Sequence, residues 1–304
     1  MFDLAPISAV IPTYRREQVL LDTVTQLLHL NPAPAEILLV DQTPDHQEET
    51  IRTLKKLEQS GKIRWLRLEV PSVTHAMNIG LQQARQPVVL FLDDDIIPGA
   101  NLLAAHTDAQ TQPGCNIVAG QVLQPGEEPL TNGQESEKFR FCAAQKQHIS
   151  ELMGGNFSIK RELALRLGGF DENFVHVAYR FEAEFANRAL RAGEKILFEP
   201  TASIRHLKAM SGGTRSYGHH LTTIKPSHSV GDYYYLFQAK GITNRLFKML
   251  ARPLRAIRTQ HHLTHPWWIM PTLIAEALGF IWAIFLFLRG PRLIADVAGS
   301  QKKS

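Results

Sequence analysis

The sequence predicts an α/β fold in which a mostly parallel central sheet is flanked by helices. Short apolar runs alternate with stretches of helical periodicity through the first third of the chain, as is typical of right-handed βαβ units. Polar and acidic residues directly follow three of these runs, at the strand ends where parallel sheets bind ligands. The composition changes near residue 225, which predicts a domain over residues 1–225 and a helical tail over residues 226–304.

The first elements follow from the spacing of apolar residues. An apolar run stopped by Pro12 predicts a strand, and apolar positions at helical spacing from Val19 to Leu28 predict a helix. A second buried strand ends at Asp41. A charged helix, an alternating strand and another helix are predicted over residues 45–60, 63–68 and 73–84.

The fourth apolar run, Val88–Leu92, leads into three consecutive carboxylates. The run is too short for an independent helix, so it predicts a strand buried on both faces. Residues Ile96–Gly99 are expected to turn the chain away. Massed carboxylates repel one another unless a cation joins them, and Mg2+ and Mn2+ prefer hard oxygen ligands. The alternative is a solvated acidic turn that caps the next helix.

Polar residues at three strand ends are expected to converge. Pro12–Arg15, Asp41 and Asp93–Asp95 each follow a predicted strand of the same sheet. Because the carboxyl ends of parallel strands share one edge, these residues should lie on one rim. The sequence therefore predicts a ligand site at that rim without relying on any single motif.

The second half of the chain is less regular. Residues 121–150 lack periodicity and predict a loop, whereas Gly154–Arg161 should enter a strand and then a helix. The glycine-rich, basic run over residues 211–218 predicts a flexible loop able to fold over phosphates. Further strands or helices are predicted over residues 116–120, 180–192, 196–198 and 202–204.

Five motifs occur in a specific order along the chain. They are Val10–Arg16, Val40–Asp41, Phe91–Asp95, Gly154–Ser158 and Gly168–Phe174. Together they resemble the motifs of the inverting family 2 glycosyltransferases, which have a nucleotide-sugar-binding GT-A fold. The resemblance covers residues 5–220 and leaves the tail outside it. It implies a GT-A fold and a nucleoside-diphosphate sugar as donor.

The resemblance implies roles for the matching residues. The residues expected to bind the nucleotide are Pro12, Thr13, Tyr14, Arg15, Asp41, Asp93 and Asp94, with Arg215 of the glycine-rich loop on the diphosphate. Asp41 would hydrogen-bond the base. The expected ligands of a divalent metal, Mn2+ or Mg2+, are Asp95, Asp93 and His206. That metal would neutralise charge on the leaving nucleoside diphosphate. The residues expected to face the donor sugar and the acceptor are Gly154, Gly155 and Asn156.

The position of the general base departs from the family pattern. Phe181 and Glu182 stand where relatives carry Glu-Asp, with Glu184 and Arg188 further along the same frame. Glu182 still offers a carboxylate that can take a proton from an acceptor hydroxyl, so it is the favoured base. The alternatives are that Glu184 is the base, or that both acids only stabilise a helix start.

The net charge of +4 hides an asymmetry between the two ends of the chain. From Arg205 onward there are 14 Lys and Arg against 3 Asp and Glu, a net of +11, so the preceding residues carry −7. Residues 242–257 predict a basic amphipathic helix on an anionic membrane surface, or alternatively a helix packed on its own domain. Residues 266–288 are apolar except for Glu276, and they predict either a membrane span or an in-plane hairpin.

The sequence as a whole predicts an inverting glycosyltransferase acting on a hydroxyl acceptor, a lipid-linked glycan or a polysaccharide. We expect it at the cytoplasmic face of the inner membrane, with no secretory leader and with Cys115 and Cys142 as free thiols. Nucleic acid is not an expected partner, because the basic residues lack interleaved stacking aromatics. The alternatives are an inactive nucleotide-sugar-binding scaffold and a sugar nucleotidyltransferase. The lack of glycines after the first strand argues against the latter.

Overall fold

The computed structural model describes residues 4–130, 139–238 and 244–294. The strands are β1 (Leu4–Thr13), β2 (Ala33–Asp41), β3 (Arg64–Arg67), β4 (Val88–Leu92), β5 (Ile96–Pro98), β6 (Ile117–Leu123), β7 (Gln147–Ile149), β8 (Asn156–Lys160) and β9 (Ile196–His206). The α-helices are α1 (Gln18–Leu28), α2 (Glu48–Gln59), α3 (Val73–Gln83), α4 (Leu102–Thr111), α5 (Arg161–Arg166), α6 (Phe181–Arg191), α7 (Val230–Gln238), α8 (Arg245–Ile257), α9 (Gln260–Thr264) and α10 (Ile269–Arg289). Four predicted stretches lie outside the described residues: 1–3 of the domain, 131–138 of the loop, 239–243 of the tail with the start of its amphipathic helix, and 295–304 of the tail.

One mixed sheet carries these strands in the order β3-β2-β1-β4-β8-β6-β9-β5, with β7 paired to β9. The first four strands pair in parallel, as predicted. Beyond β4 the sheet is mixed, because β8 runs antiparallel to both β4 and β6. The α/β prediction is thus confirmed. The strand order reverses between β1 and β4, and such a reversal opens a crevice at the carboxyl ends of the strands.

Helices cover both faces of the sheet, which explains why β4 is apolar and buried along its whole length. Successive residues of β1 point to opposite sides. Val10 joins a core that includes residues of α3 and α6. Ile11 joins a second core with residues of α1, α2 and α4. Both cores fix the direction of the strands whose ends carry the polar residues.

The structure corrects two expectations about local elements. The two short strands predicted over residues 196–198 and 202–204 are one strand, β9, with a register shift where it pairs with β6. Residues Ile96–Pro98, expected to be a turn, form β5 and pair antiparallel with the end of β9. This pairing sets Ile96 opposite His206 and so brings His206 beside the acidic turn.

Helix α7 of the tail packs on the α/β domain, and α10 packs on α7 through one of its faces. Tyr233 and Tyr234 of α7 are buried in the core that lies under α6. α10 packs along α7 through a stripe of buried residues, Thr272, Ala275, Glu276, Gly279, Ala283 and Leu286. An opposite stripe is exposed and apolar: Trp267, Met270, Ile274, Leu278, Ile281, Phe285 and Leu288. Residues Pro266–Arg289 are long and apolar enough to cross a membrane by length and composition.

Candidate active site

A cavity of about 490 Å3 opens at the carboxyl ends of β1 and β4. The β1–β2 register sets Thr13 beside Asp41, and the acidic turn follows β4 directly. The predicted or charged residues that line the cavity are Pro12, Thr13, Tyr14, Arg16, Asp93, Asp94, Asp95, Gly154, Gly155, Glu182, His206 and Lys208. The rim at which the sequence places a ligand site is therefore the wall of a cavity.

Asp94 and Arg16 form a buried ion pair that supports the acidic turn. The Asp94 carboxylate accepts a hydrogen bond from Thr13 Oγ1 at 2.7 Å and lies 3.1 Å from Arg16 Nε. Burial raises the pKa of Asp94 to about 7, although the charge of Arg16 and the hydrogen bond from Thr13 oppose the rise. Arg16 also contacts Asp95, at 3.2 Å, and donates to the carbonyls of Ala209 and Ser211. One guanidinium thus ties both acids to the segment after β9.

Asp93, Asp95 and His206 place three potential metal ligands within 4.8 Å of one another. The His206 Nε2 atom lies 3.1 Å from Asp95 Oδ1 and 3.8 Å from Asp93 Oδ2. Its Nδ1 atom contacts Gln124 Oε1 at 3.2 Å, which orients the ring. Burial acts to raise the pKa of Asp95, but the hydrogen bond and charge of His206 help to hold it below the usual value. Two carboxylates and one imidazole nitrogen suit a divalent cation such as Mn2+.

Close packing explains the two glycines that precede β8. A Cβ atom at Gly155 would overlap the Asp93 carboxylate. One at Gly154 would come within 3.0 Å of Phe181 and 3.3 Å of Glu182. The Gly155 carbonyl also accepts a hydrogen bond from the Asp93 N–H at 3.3 Å. A larger residue at either position would therefore displace the acidic turn or the start of α6.

The two acids of α6 have different surroundings. Glu182 lines the cavity, and burial together with the charge of Asp93 raises its pKa to about 7. Glu184 is buried and forms a bidentate pair with Arg188, with contacts of 2.9 and 2.7 Å. Arg188 in turn donates to the Gly169 carbonyl at 2.8 Å, which ties α6 to the preceding turn. Of the two predicted base candidates, Glu182 is the one that reaches the cavity.

Asp41, which was expected to hydrogen-bond the base, is not among the residues that line the cavity. Its fully buried carboxylate is engaged by His46 Nε2 at 2.8 Å, Trp65 Nε1 at 2.9 Å and the Thr43 N–H at 2.8 Å. Successive residues of an extended chain point to opposite sides. The next residue, Gln42, therefore lines the cavity in its place.

Asn156 is also placed behind the wall rather than facing a sugar. Its side chain is fully buried, contacts His106 Nε2 at 3.0 Å and donates to the carbonyls of Gln121 and Ala202. Burial lowers the pKa of His106 to about 4, so the imidazole is neutral here. These contacts join β8 to β6, β9 and α4. Asn156 accordingly supports the sheet beneath the site, and the expectation that it faces donor and acceptor is corrected.

Arg15 was expected to bind the nucleotide, but the structure directs its neighbour Arg16 into the cavity instead. Arg15 is exposed, has a left-handed φ of 55° and lies over the Tyr14 ring at 5.2 Å, so it does not line the cavity. Arg16 faces inward instead. Arg215 is exposed and contacts Met210 Sδ at 3.7 Å outside the cavity lining. Further lining residues that sequence analysis did not select are Gln42, His176, Lys208 and Tyr217.

The fold and the cavity together define an α/β protein with a group of potential divalent-metal ligands, Asp93, Asp95 and His206, at the crevice of its sheet. The model of the family described as glycosyl transferase family 2 matches residues 8–169, just over half of the chain. The chain therefore belongs to glycosyl transferase family 2, and the resemblance stated from its motifs is confirmed. No curated protein matches the sequence.

Two solved structures show a similar GT-A fold. The structure of GalNAc-T7 with UDP, GalNAc and Mn2+ has a TM-score of 0.57 and 16% identity, covering 85% of this chain. This chain spans 57% of that one. The mannosyltransferase PcManGT from Pyrobaculum calidifontis, in complex with GDP-Man and Mn2+, has a TM-score of 0.56 and 18% identity, covering 94% of this chain and 79% of that one. At these identities the similarity establishes the fold alone.

Proposed function

We propose that the protein transfers a sugar, with inversion, from a nucleoside-diphosphate sugar to a hydroxyl acceptor. The observation that carries the proposal is that the metal-ligand cluster and Glu182 line one cavity. Family membership supports a sugar nucleotide as donor, as do the UDP and GDP-Man bound in the two similar structures. A lipid-linked glycan or a polysaccharide is the proposed acceptor, because the tail is suited to a membrane.

Asp93, Asp95 and His206 would hold Mn2+ or Mg2+. When bound, the metal would neutralise negative charge on the leaving diphosphate. Arg16 holds the Asp95 carboxylate at 3.2 Å, so one ligand is positioned before any metal arrives. Lys208 lines the same cavity and offers a second positive charge to the diphosphate.

Glu182 is the proposed general base. A base must be ionised to accept the acceptor proton, and a pKa near the working pH is favourable for that role. The pKa of about 7 for Glu182 meets this condition, because burial and Asp93 both disfavour its charge. Glu184 is occupied by Arg188 and is not proposed as base.

We further propose that the tail attaches the enzyme to the cytoplasmic face of the inner membrane. Most of the large apolar side chains exposed among the described residues lie between Leu246 and Leu293. α8 also carries Arg245, Lys248, Arg252 and Arg255, and Arg258 follows it directly. The opposite face of α10 packs on α7, and its Glu276 lies 3.3 Å from Arg252. This one-sided packing favours a helix lying in the membrane surface over a spanning one.

Calorimetric titration of UDP, GDP and dTDP, each with and without Mn2+, tests the proposed donor site. We expect metal-dependent binding of one diphosphate by the wild type and loss of that binding in Asp95→Ala. Asp108→Ala, an exposed position on α4, is the matched control and should bind normally. Absence of binding for all three diphosphates would contradict the proposed donor. Binding without donor hydrolysis or transfer would instead indicate an inactive nucleotide-sugar-binding scaffold.

A further inference from the structure

A second cavity, of about 430 Å3, lies between the α/β domain and the tail. Its walls come from the segment before α7, from α8 and from the first turns of α10, and it shares no lining residue with the catalytic cavity. The volume is in the usual range for small-ligand sites. The cavity is therefore a separate feature, and the mechanism proposed above does not use it.

The charged residues that line this cavity are mainly cationic. Lys225, Arg252 and Arg255 line it together with a single carboxylate, Glu276. Arg252 is compensated, because it lies 3.1 Å from Asp232 and 3.3 Å from Glu276. Among residues 4–130, 139–238 and 244–294, neither Lys225 nor Arg255 has an ion-pair partner. Two uncompensated cations thus remain at one concave site.

Neighbouring imidazoles and a hydroxyl add hydrogen-bonding groups to the cavity. His220 and His228 also line it. Burial, together with nearby positive charge that includes Arg252, lowers the pKa of both imidazoles, so their charged forms are disfavoured and the cationic character of the cavity comes from the lysine and the arginines. Thr223 adds a hydroxyl group to the lining. Cations and hydroxyl donors in one concavity are the groups that bind phosphate oxygens.

The surroundings of the cavity distinguish a lipid from a free anion. Leu254, which precedes Arg255 on α8, is 54% exposed. Met270, two residues before the lining residue Thr272 on α10, is 63% exposed. Exposed hydrocarbon thus lies close in sequence to lining residues on two helices, beside the cation Arg255 on α8 and near Thr272 on α10. This arrangement fits a ligand with a phosphate at one end and hydrocarbon chains at the other.

We propose that this cavity binds the phosphate group of an anionic membrane lipid, whose chains lie against the exposed apolar side chains of α8 and α10. The proposal rests on the membrane attachment proposed above and adds a defined headgroup site to it. It predicts that Lys225 and Arg255 contribute more to binding than equally charged positions elsewhere on the tail.

The test uses the full-length protein and co-sedimentation with phosphatidylcholine vesicles, with or without phosphatidylglycerol. The cavity variant is Lys225→Gln combined with Arg255→Gln. Its matched control is Arg245→Gln combined with Arg258→Gln, which removes the same charge from exposed positions outside the cavity lining. General loss of two charges, at about 1 kcal/mol each, should weaken binding to the anionic vesicles by roughly thirtyfold in the control. The cavity variant should also lose charge-assisted hydrogen bonds to the lipid phosphate, so its binding to the anionic vesicles should weaken by about a hundredfold.

The possible outcomes separate this proposal from the others. Equal losses in the two variants would overturn the headgroup site while leaving membrane attachment intact. No vesicle binding by the wild type would overturn attachment, and the headgroup site with it. Titration with inorganic phosphate at constant ionic strength tests whether the cavity binds free phosphate instead of a lipid headgroup. Tight phosphate binding, with vesicle binding unaffected by the cavity variant, would identify a free-phosphate site and overturn the lipid proposal. None of these results bears on diphosphate binding at the catalytic cavity.

Discussion

The rim of the sheet buries its charged side chains, whereas the outer face of the tail exposes both cations and hydrocarbon. At the rim, Arg16 and two carboxylates are withdrawn from water and held by contacts of 3.1–3.2 Å. On the tail, large apolar side chains are exposed and several cations stand without partners among the described residues. A buried cluster of paired charges is suited to one ligand geometry. An exposed apolar and basic face is suited to an extended surface such as a membrane. The difference indicates that chemistry and attachment are separable, and each prediction below perturbs one without the other.

The largest expected effect is the loss of the base. Glu182→Gln should lower kcat by about a thousandfold, because the amide cannot accept the acceptor proton while the cavity keeps its shape. Binding of the diphosphate with Mn2+ should stay close to wild type, as measured by calorimetry. Steady-state rates and titration of the same preparation check both expectations. A variant that retained most of its kcat would remove Glu182 from the mechanism.

Glu184→Gln provides a control on the same helix. This change leaves Arg188 without its bidentate carboxylate in a largely buried position. Loss of one partner of such a pair costs about 3 kcal/mol of unfolding free energy. We therefore expect a clear loss of stability in urea unfolding with kcat changed much less than in Glu182→Gln. The reverse pattern would exchange the roles of the two acids.

Arg16→Gln tests whether the buried ion pairs at the rim prepare the metal site. Arg16 contacts Asp95, a predicted metal ligand, and the segment after β9. Residues that orient metal ligands typically change metal affinity by about 10- to 100-fold. Mn2+ titration should therefore show weaker binding in Arg16→Gln. Arg15→Gln, one residue away and exposed, should bind Mn2+ as the wild type does, and equal effects of the two changes would contradict the assignment.

The pKa of Glu182 predicts the pH dependence of transfer. The pKa is raised to about 7, so the carboxylate is protonated below that pH and ionised above it. The rate should therefore rise with pH up to about 7 and fall by roughly tenfold per unit below the pKa. A cation bound at Asp93 removes one cause of the raised pKa of Glu182. Mn2+ should therefore shift the rising part of the pH–rate profile toward lower pH. Rate profiles at two Mn2+ concentrations measure the shift, and a profile flat across this range would argue against a titrating base.

How much of this site could be read from the sequence depends on what positions each residue. Asp93–Asp95 and Thr13 were accessible because parallel strands deliver their carboxyl ends to one edge. Arg16 was missed because two adjacent arginines look equivalent until the left-handed turn at Arg15 directs one outward. The side chains of Asp41 and Asn156 were expected in the cavity for a related reason. A motif locates a residue at a strand end, but it does not show on which side of the strand the side chain lies.

The tail shows the same limit. Its apolar and basic residues were visible in the sequence, but one-sided packing was not, because it depends on contacts with α7. Glu276 illustrates this: an acid in an apolar run weakens a spanning interpretation, and the structure adds its partners, Arg252 at 3.3 Å and Tyr233 at 2.9 Å. Which face of α10 remains exposed follows from these long-range pairings rather than from hydropathy.

The smallest expected effect concerns a single apolar residue of the tail. Ile281 is 50% exposed on the outer stripe of α10, so Ile281→Ser removes hydrocarbon that would enter the membrane surface. Half of the burial of one such side chain corresponds to about 1 kcal/mol, or roughly a fivefold weaker partition onto vesicles. Val70→Ser, at a 71% exposed position before α3, is the control and should partition like the wild type. Diphosphate binding should be unchanged in both, because neither residue lines the catalytic cavity. Equal partition of the two variants onto vesicles would place the membrane contact elsewhere. Weaker partition of Ile281→Ser alone, with unchanged diphosphate binding, would show that membrane attachment and the catalytic site depend on different side chains.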